Sequence, residues 1–136
     1  MKAGVQQAVE ELRKAFAGHT LQVVESPCGG AYVLIEAVKL GAPFAQADTW
    51  VGFFLTSACP EADTYPFFVR SDLSRLDGVA LKTPLHTGRK WPESDVKGLT
   101  AREAVMVSRR QNNQACWGRE TPLTKLQAVM KWMLEQ

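Results

Sequence analysis

Apolar residues near the N-terminus recur at helical spacing and predict the first element of the chain. They are separated by four, three and four positions: Val5, Val9, Leu12 and Phe16. Residues with this spacing lie on one face of a helix. Gly18 follows the stripe, where a glycine is typical of a helix C-cap. We therefore expect an amphipathic helix that packs one face against the rest of the chain.

Four apolar segments follow this helix and predict strands. They are rich in valine, isoleucine and aromatic residues, which favour extended structure. Turn-forming prolines and glycines separate them. The predicted strands are residues 21–25, 31–40, 50–58 and 67–70. Because consecutive strands with short connections usually pair with one another, the pattern favours an antiparallel meander.

Two prolines bracket the turn between the third and fourth predicted strands. Pro60 and Pro66 each fix φ at about −65°. Each also pushes the residue before it into extended geometry. This turn is therefore predicted to be a rigid bend, with Tyr65 at its second corner.

The apolar pattern dissolves over residues 71–98, where prolines, glycines and polar residues predict a long irregular segment. Loops of this length in a compact domain are usually functional or disordered. Residues 99–110 then predict a helix, with Thr100 as N-cap and Glu103 completing a capping box. Residues 104–107 could instead run as a short extended piece.

A stronger helix signal closes the chain. Thr121 stands before Pro122, which is the order of an N-cap and a first helical residue. The apolar stripe that follows consists of Leu126, Val129, Met130 and Met133. The whole pattern predicts an α+β fold with an N-terminal helix, a four-stranded antiparallel meander, a long loop and C-terminal helices. Residues 1–136 would form it as a single domain.

Composition removes several classes of function. The net charge is +2 with both signs mixed along the chain, which gives no basis for a nucleic-acid partner. The three cysteines are widely spaced and contain no C-x-x-C pair, so neither a disulfide framework nor a zinc site is expected, and no cofactor motif occurs. The N-terminus lacks the apolar core of a secretory signal, and no apolar run is long enough to span a membrane. We therefore expect a cytoplasmic protein.

Several short motifs occur in an order that resembles the ubiquitin-conjugating enzyme superfamily. Residues 41–43 stand where that family has a Gly-Pro-rich hairpin, and Pro60 leads into a Tyr-Pro-Phe corner at residues 65–67. His86 and Trp117 resemble the histidine after the fourth strand and the tryptophan after the active site. The resemblance covers nearly the whole chain and implies the family's UBC-like fold.

The C-terminal part resembles a bacterial branch of this superfamily more narrowly. Ser108 and Arg109 precede Trp117 and an amphipathic helix, as the Ser-Arg pair and tryptophan of that branch do. The resemblance implies a part in bacterial ubiquitin-like conjugation. The protein would accept the C-terminus of a ubiquitin-like protein from an activating enzyme and transfer it to a target protein.

One departure from the family leaves two possible nucleophiles. The family has its nucleophilic cysteine ahead of the tryptophan, whereas this chain has Ser108 there, so the modifier would be carried as an oxyester. A serine hydroxyl needs a base, and His86 is the natural base or orienting group. The other histidine, His19, lies at the end of the first helix. Cys116 is the alternative nucleophile, because thiolates form nearer neutral pH.

The resemblance also suggests roles for neighbouring polar residues. Asn112 and Asn113 are candidates to donate to the oxyanion that forms on attack, although asparagines there could simply form a turn. Arg109 and Arg110 are candidates to hold the modifier's tail or an acidic partner surface.

Three further residues are candidates for contacts with partners. Arg13 and Lys14 would lie on the face of the first helix that contacts the activating enzyme in the family. Trp91, in the predicted long loop, would either anchor a partner or pack over the sheet.

Three functions remain open at this point. The first is the conjugating enzyme. The second is a catalytically inactive binding module on the same fold, which would hold a ubiquitin-like protein or its partner noncovalently; the missing cysteine favours it. The third is an unrelated α+β adaptor or hydrolase, but no G-x-S-x-G elbow or P-loop supports a hydrolase.

Overall fold

In the part of the chain that the structure describes, one helix is followed by six strands and a second helix. The computed structural model describes residues 1–110 and 120–136. The N-terminal helix α1 spans Ala3–Ala15, and four strands follow it: β1 Leu21–Glu25, β2 Ala31–Lys39, β3 Asp48–Leu55 and β4 Phe67–Arg70. The remaining elements are β5 Leu85–Trp91, β6 Arg102–Val107 and the C-terminal helix α2 Pro122–Leu134.

The six strands of the described residues form one antiparallel sheet. Its order is β1-β2-β3-β4-β6-β5. The first four strands pair in sequence order, as the apolar pattern predicts. The chain then forms β5 at the far edge and returns through β6, which lies between β4 and β5.

The predicted arrangement of a four-stranded meander, a long loop and C-terminal helices is therefore wrong. The sheet has six strands, and the described residues contain one N-terminal and one C-terminal helix. β5 lies inside the segment predicted to be irregular. β6 lies inside residues 99–110, where a helix was expected and an extended piece over residues 104–107 was the alternative, and the extended alternative is confirmed. The UBC-like fold that the resemblance implied is not the arrangement that this chain adopts.

Pairing with β4 explains why residues 102–107 are extended. β6 pairs with all four residues of β4, from Phe67 opposite Val107 to Arg70 opposite Ala104. A helix here would leave the backbone groups along that edge of β4 without these partners, and unpaired buried backbone groups are costly. Val105 and Val107 also point into the core, and β-branched side chains fit a strand well. Together these effects override the capping box.

Both helices pack on one face of the sheet and contact each other. The predicted stripe of α1 is confirmed, since Val5, Val9 and Leu12 are buried. The predicted N-cap of α2 is confirmed as well, because the Thr121 hydroxyl accepts a hydrogen bond from the Thr124 amide at 3.2 Å. Neither helix is long and apolar enough to cross a membrane.

The opposite face of the sheet carries a second, smaller hydrophobic cluster. Its buried members are Leu34, Phe68, Trp91 and Ala104. Gly52 in β3 is required for this packing, because a Cβ at position 52 would lie 2.6 Å from the indole ring of Trp91. The face that carries this cluster is called the aromatic face below.

Candidate functional site at the end of β6

Ser108 follows β6 directly and is fixed to the chain just before β5. Its amide donates a hydrogen bond to the carbonyl oxygen of Pro84 at 2.9 Å, and its hydroxyl donates to the same oxygen at 3.3 Å. The residue is half-buried. The backbone pairing of β5 with β6 therefore continues one residue beyond the two strands.

Strand register determines the face on which Ser108 lies. Val107 pairs with Phe67 on one side and with Leu85 on the other, and all three side chains belong to the core under the helices. Because side chains alternate along a strand, Ser108 belongs to the aromatic face. Continued register sets it between Pro84 and Pro66.

His86 lies on the same face of the sheet as Ser108. It pairs with Met106 in β6, two residues before Ser108, and Met106 packs against the cluster of the aromatic face. Diagonal neighbours of this kind on adjacent strands are about 7–8 Å apart at Cα, within reach of long side chains. The described residues show no hydrogen bond between the two side chains, because the Ser108 hydroxyl donates to Pro84 instead. The two predicted catalytic residues are thus neighbours on one face of the sheet without a hydrogen bond between them.

Arg109 and Arg110 both stack on aromatic rings. The guanidinium carbon of Arg109 lies 4.8 Å from the ring centre of Trp132 in α2, and that of Arg110 lies 4.5 Å from the ring centre of Tyr65. Such cation–π contacts are favourable even at exposed sites. They tie the chain after β6 to α2 on one side and to the Tyr-Pro-Phe corner on the other.

A small cavity of about 140 Å³ lies beside the two arginines. Its lining consists of Arg109, Arg110, Glu120, Lys125, Ala128 and Val129. Three of these side chains are basic and one is acidic. An anionic group such as a carboxylate is therefore the ligand that the charge of this cavity favours.

Lys125 also forms a buried ion pair that sequence patterns did not reveal. Its ammonium nitrogen lies 2.5 Å from Oδ1 of Asp63, in the connection between β3 and β4, and the two side chains are only 7% and 9% exposed. The sequence did contain one signal that Lys125 is buried. Lys125 stands four residues before Val129 and eight before Met133, so it shares their buried face of α2.

Trp91 packs over the sheet, which is one of its two expected roles. Its side chain is 2% exposed and belongs to the cluster on the aromatic face. A side chain this deeply buried offers little surface of its own, and a contact of Trp91 with a partner stays a prediction. The long loop in which it was placed is in fact strand β5.

The two basic residues that are expected to contact the activating enzyme lie on the surface. Arg13 and Lys14 are both exposed in the last turn of α1. Basic side chains are also favoured there by the helix dipole. Their exposure makes a partner contact feasible, and that contact stays a prediction.

Several predicted residues lie outside the described part of the chain. They are the oxyanion donors Asn112 and Asn113, the alternative nucleophile Cys116, and Trp117. Their roles stay predictions. Within residues 1–110 and 120–136, no group of three or more histidine, cysteine or acidic side chains is placed to hold a metal ion.

The two described cysteines differ in their environments. Cys28 is exposed, and its thiol pKa is lowered by the hydrogen bond with the Ser26 hydroxyl at 3.1 Å and by the Gly30 amide. Burial raises the pKa of the Cys59 thiol, with a smaller contribution from Glu11. The thiolate is the reactive form of cysteine.

We therefore expect Cys28 to be alkylated faster than Cys59. Iodoacetamide at pH 7.5, followed by peptide mass spectrometry over time, measures the two rates. Ser26→Ala should slow the reaction at Cys28 and leave Cys59 unchanged. Faster labelling of Cys59 would contradict the difference in pKa.

Comparison with known proteins gives no relative for this chain. No protein-family model matches it, and neither a curated protein nor a solved structure gives a significant match.

Proposed function

We propose that this protein accepts the C-terminal carboxyl group of a ubiquitin-like protein on Ser108 and passes it to a target protein. It would receive the modifier from an activating enzyme, in the cytoplasm, as a conjugating component of a bacterial ubiquitin-like pathway. The observation that carries the proposal is the placement of Ser108 and His86 on one face of neighbouring strands. The motif resemblance of the sequence supplies the identity of the substrate.

The chemistry needs one small rearrangement at Ser108. Its hydroxyl must leave the Pro84 carbonyl, and a hydrogen bond of 3.3 Å lies beyond the usual optimum, so its loss costs at most about 1 kcal/mol. The freed oxygen attacks the carbonyl carbon of the modifier's thioester. The thiolate of the activating enzyme leaves, and His86 takes the hydroxyl proton.

Transfer to the target reverses the bonding at Ser108. A target amine attacks the oxyester, the carbon–oxygen bond breaks, the serine oxygen takes the proton held by His86, and the surplus proton of the nitrogen passes to the freed imidazole. Because an oxyester is less reactive towards amines than a thioester, the rate would depend strongly on how the target is positioned. The basic cavity beside Arg109 and Arg110 would hold an acidic group of the modifier or target, and Arg13 and Lys14 would contact the activating enzyme.

A noncovalent binding module is the second candidate. It is favoured by the hydrogen bond from the Ser108 hydroxyl to Pro84, which leaves that hydroxyl directed at the backbone and not at His86. In this function the same surface would hold the ubiquitin-like protein or its partner without forming a bond.

Loading of the protein separates the two candidates. The chain is incubated with ATP, a ubiquitin-like protein and the activating enzyme that loads that modifier, and adducts are detected by intact-mass spectrometry. We expect an adduct that resists thiol and is cleaved by mild base. Ser108→Ala should abolish it, while Ser57→Ala, at an exposed turn, should not change it. His86→Gln should slow loading by about 100-fold, the lower end of general-base contributions.

Two outcomes would overturn the serine chemistry. An adduct that survives Ser108→Ala but vanishes in Cys116→Ala assigns the nucleophile to the thiol. If no adduct forms with an activating enzyme that is itself loaded, direct titration of the modifier by calorimetry tests the binding module.

A further inference from the structure

The aromatic face contains a groove that no step of the proposed transfer uses. Its volume is about 250 Å³, and it lies between the sheet and the chain that follows β5. Its lining includes five aromatic residues and one acid: Tyr32, Phe54, Tyr65, Phe68, Trp91 and Glu93. These six residues define the aromatic groove.

The rings form a floor and walls. Phe68 and Trp91 are buried and make the floor, whereas Tyr32, Phe54 and Tyr65 are half-buried and keep part of their rings exposed. The ring centres of Tyr32 and Phe54 are 4.6 Å apart, and those of Tyr32 and Trp91 are 6.4 Å apart in an edge-on arrangement. Ring faces carry partial negative charge, so they attract cations.

Glu93 adds a full negative charge to the groove. It is exposed, and within the described residues its carboxylate has neither a hydrogen bond nor an ion pair. An anionic ligand would be repelled by this carboxylate. A neutral ligand could at most donate a hydrogen bond to it, without the attraction between opposite charges.

Another site on the same face shows what this combination of groups binds. The guanidinium of Arg102 lies 5.2 Å from the ring centre of Trp50, and its Nη2 donates to Oε1 of Glu36 at 2.6 Å. An aromatic ring and a carboxylate thus hold a cation between them. The aromatic groove has the same two kinds of group, and among residues 1–110 and 120–136 only Arg110 places a cation on its rings, at the Tyr65 edge.

We propose that the aromatic groove binds a cationic side chain of a partner protein, and that its ligand class is methylated lysine. A trimethylammonium group is weakly hydrated and presents methyl groups to the rings, while its charge faces the ring surfaces and Glu93. An unmodified ammonium is strongly hydrated, and the single carboxylate of the groove replaces little of that hydration. The groove is therefore better matched to the methylated form.

NMR titration of the full chain tests this inference without any modifier or activating enzyme, so its result is independent of the proposed function. The probes are the amide of N-acetyl-trimethyllysine, its unmethylated form, and a neutral isostere in which carbon replaces the charged nitrogen. We expect shifts at the Trp91 indole N–H, and an affinity for the trimethyllysine probe at least about fivefold above that for either other probe.

Variants locate the binding. Glu93→Gln and Phe54→Leu should each lower the affinity for the trimethyllysine probe about fivefold. Phe16→Leu, at the end of α1 on the other side of the sheet, is the matched aromatic control and should leave the affinity unchanged. Glu93 is exposed, so Glu93→Gln remains informative even if the Phe54 variant folds poorly.

Three results would each overturn the inference. Equal affinity for the charged probe and its neutral isostere would show a plain apolar groove. Tighter binding of the unmethylated lysine probe would show that methylated lysine is not the ligand class of the groove. Absence of any shift at millimolar trimethyllysine probe would show that the groove does not bind cations.

Discussion

Replacing Trp91 with alanine should lower the free energy of unfolding by about 3–5 kcal/mol, the usual range for removing a buried aromatic side chain. The indole is 2% exposed and joins β5 to Leu34, Phe68 and Ala104 on the aromatic face. Its loss leaves a cavity under the outermost strand. Urea unfolding followed by circular dichroism measures the change.

A double-mutant cycle with Gly52 shows whether the ring packs as the structure places it. Gly52→Ala should destabilise the protein by about 1–3 kcal/mol, because the new methyl group would lie 2.6 Å from the Trp91 ring. In Trp91→Leu the same alanine should cost less, since the smaller side chain leaves room. Additive effects of the two changes would contradict the contact.

Lys125→Ala should cost about 3–5 kcal/mol, as removal of one partner of a buried ion pair usually does. The ammonium of Lys125 faces Asp63, and the side chains are 7% and 9% exposed, so water cannot replace the lost charge easily. Chemical denaturation at pH 7 measures the loss. Lys131→Ala, an exposed lysine on the same helix, is the matched control and should change stability by less than about 0.5 kcal/mol.

Replacing both Asp63 and Lys125 tests whether the ion pair itself stabilises the position of α2. The single variant also measures the cost of leaving one buried charge without a partner. Asp63→Leu combined with Lys125→Met removes both charges and keeps similar side-chain volumes. Such exchanges are often neutral or stabilising by about 1–4 kcal/mol. If the double variant is as unstable as Lys125→Ala alone, the two polar side chains stabilise the attachment of α2 themselves. The cost of Lys125→Ala would then not come only from leaving one buried charge without its counter-charge.

Sequence patterns predicted the elements whose signals are local. The stripe of Val5, Val9 and Leu12 specifies a helix because its period is helical, and the Thr121-Pro122 pair marks the start of α2 by its own chemistry. Strands β1 to β4 are apolar enough to be identified singly.

β5 was not predicted as a strand, and β6 was predicted only as the extended alternative for residues 104–107, because both strands depend on partners elsewhere in the chain. β5 has buried side chains only at its ends, Leu85 and Trp91, and its middle is exposed, so no alternating apolar pattern marks it. β6 carries the Thr100 and Glu103 capping signal of a helix, and only the paired edge of β4 makes it extended. A local pattern cannot record a pairing with residues more than 30 positions away.

The same limit applies to the candidate site. The resemblance selected Ser108 and His86, but only strand register shows that they share a face. The Asp63–Lys125 ion pair joins residues 62 positions apart, and the aromatic groove draws on four separate parts of the chain. Such sites are created by folding and have no compact motif.

The position of β6 between β4 and β5 constrains how the chain matures during translation. The ribosome releases β5 before β6 exists, yet among the described strands β5 is hydrogen-bonded only to β6. The nascent β5 segment must therefore wait while about ten more residues of linker and then β6 emerge, and its exposed Arg89 and Lys90 suit that interval because charged side chains discourage pairing with the wrong strand. The β5–β6 hairpin can therefore form only after β6 has been synthesised.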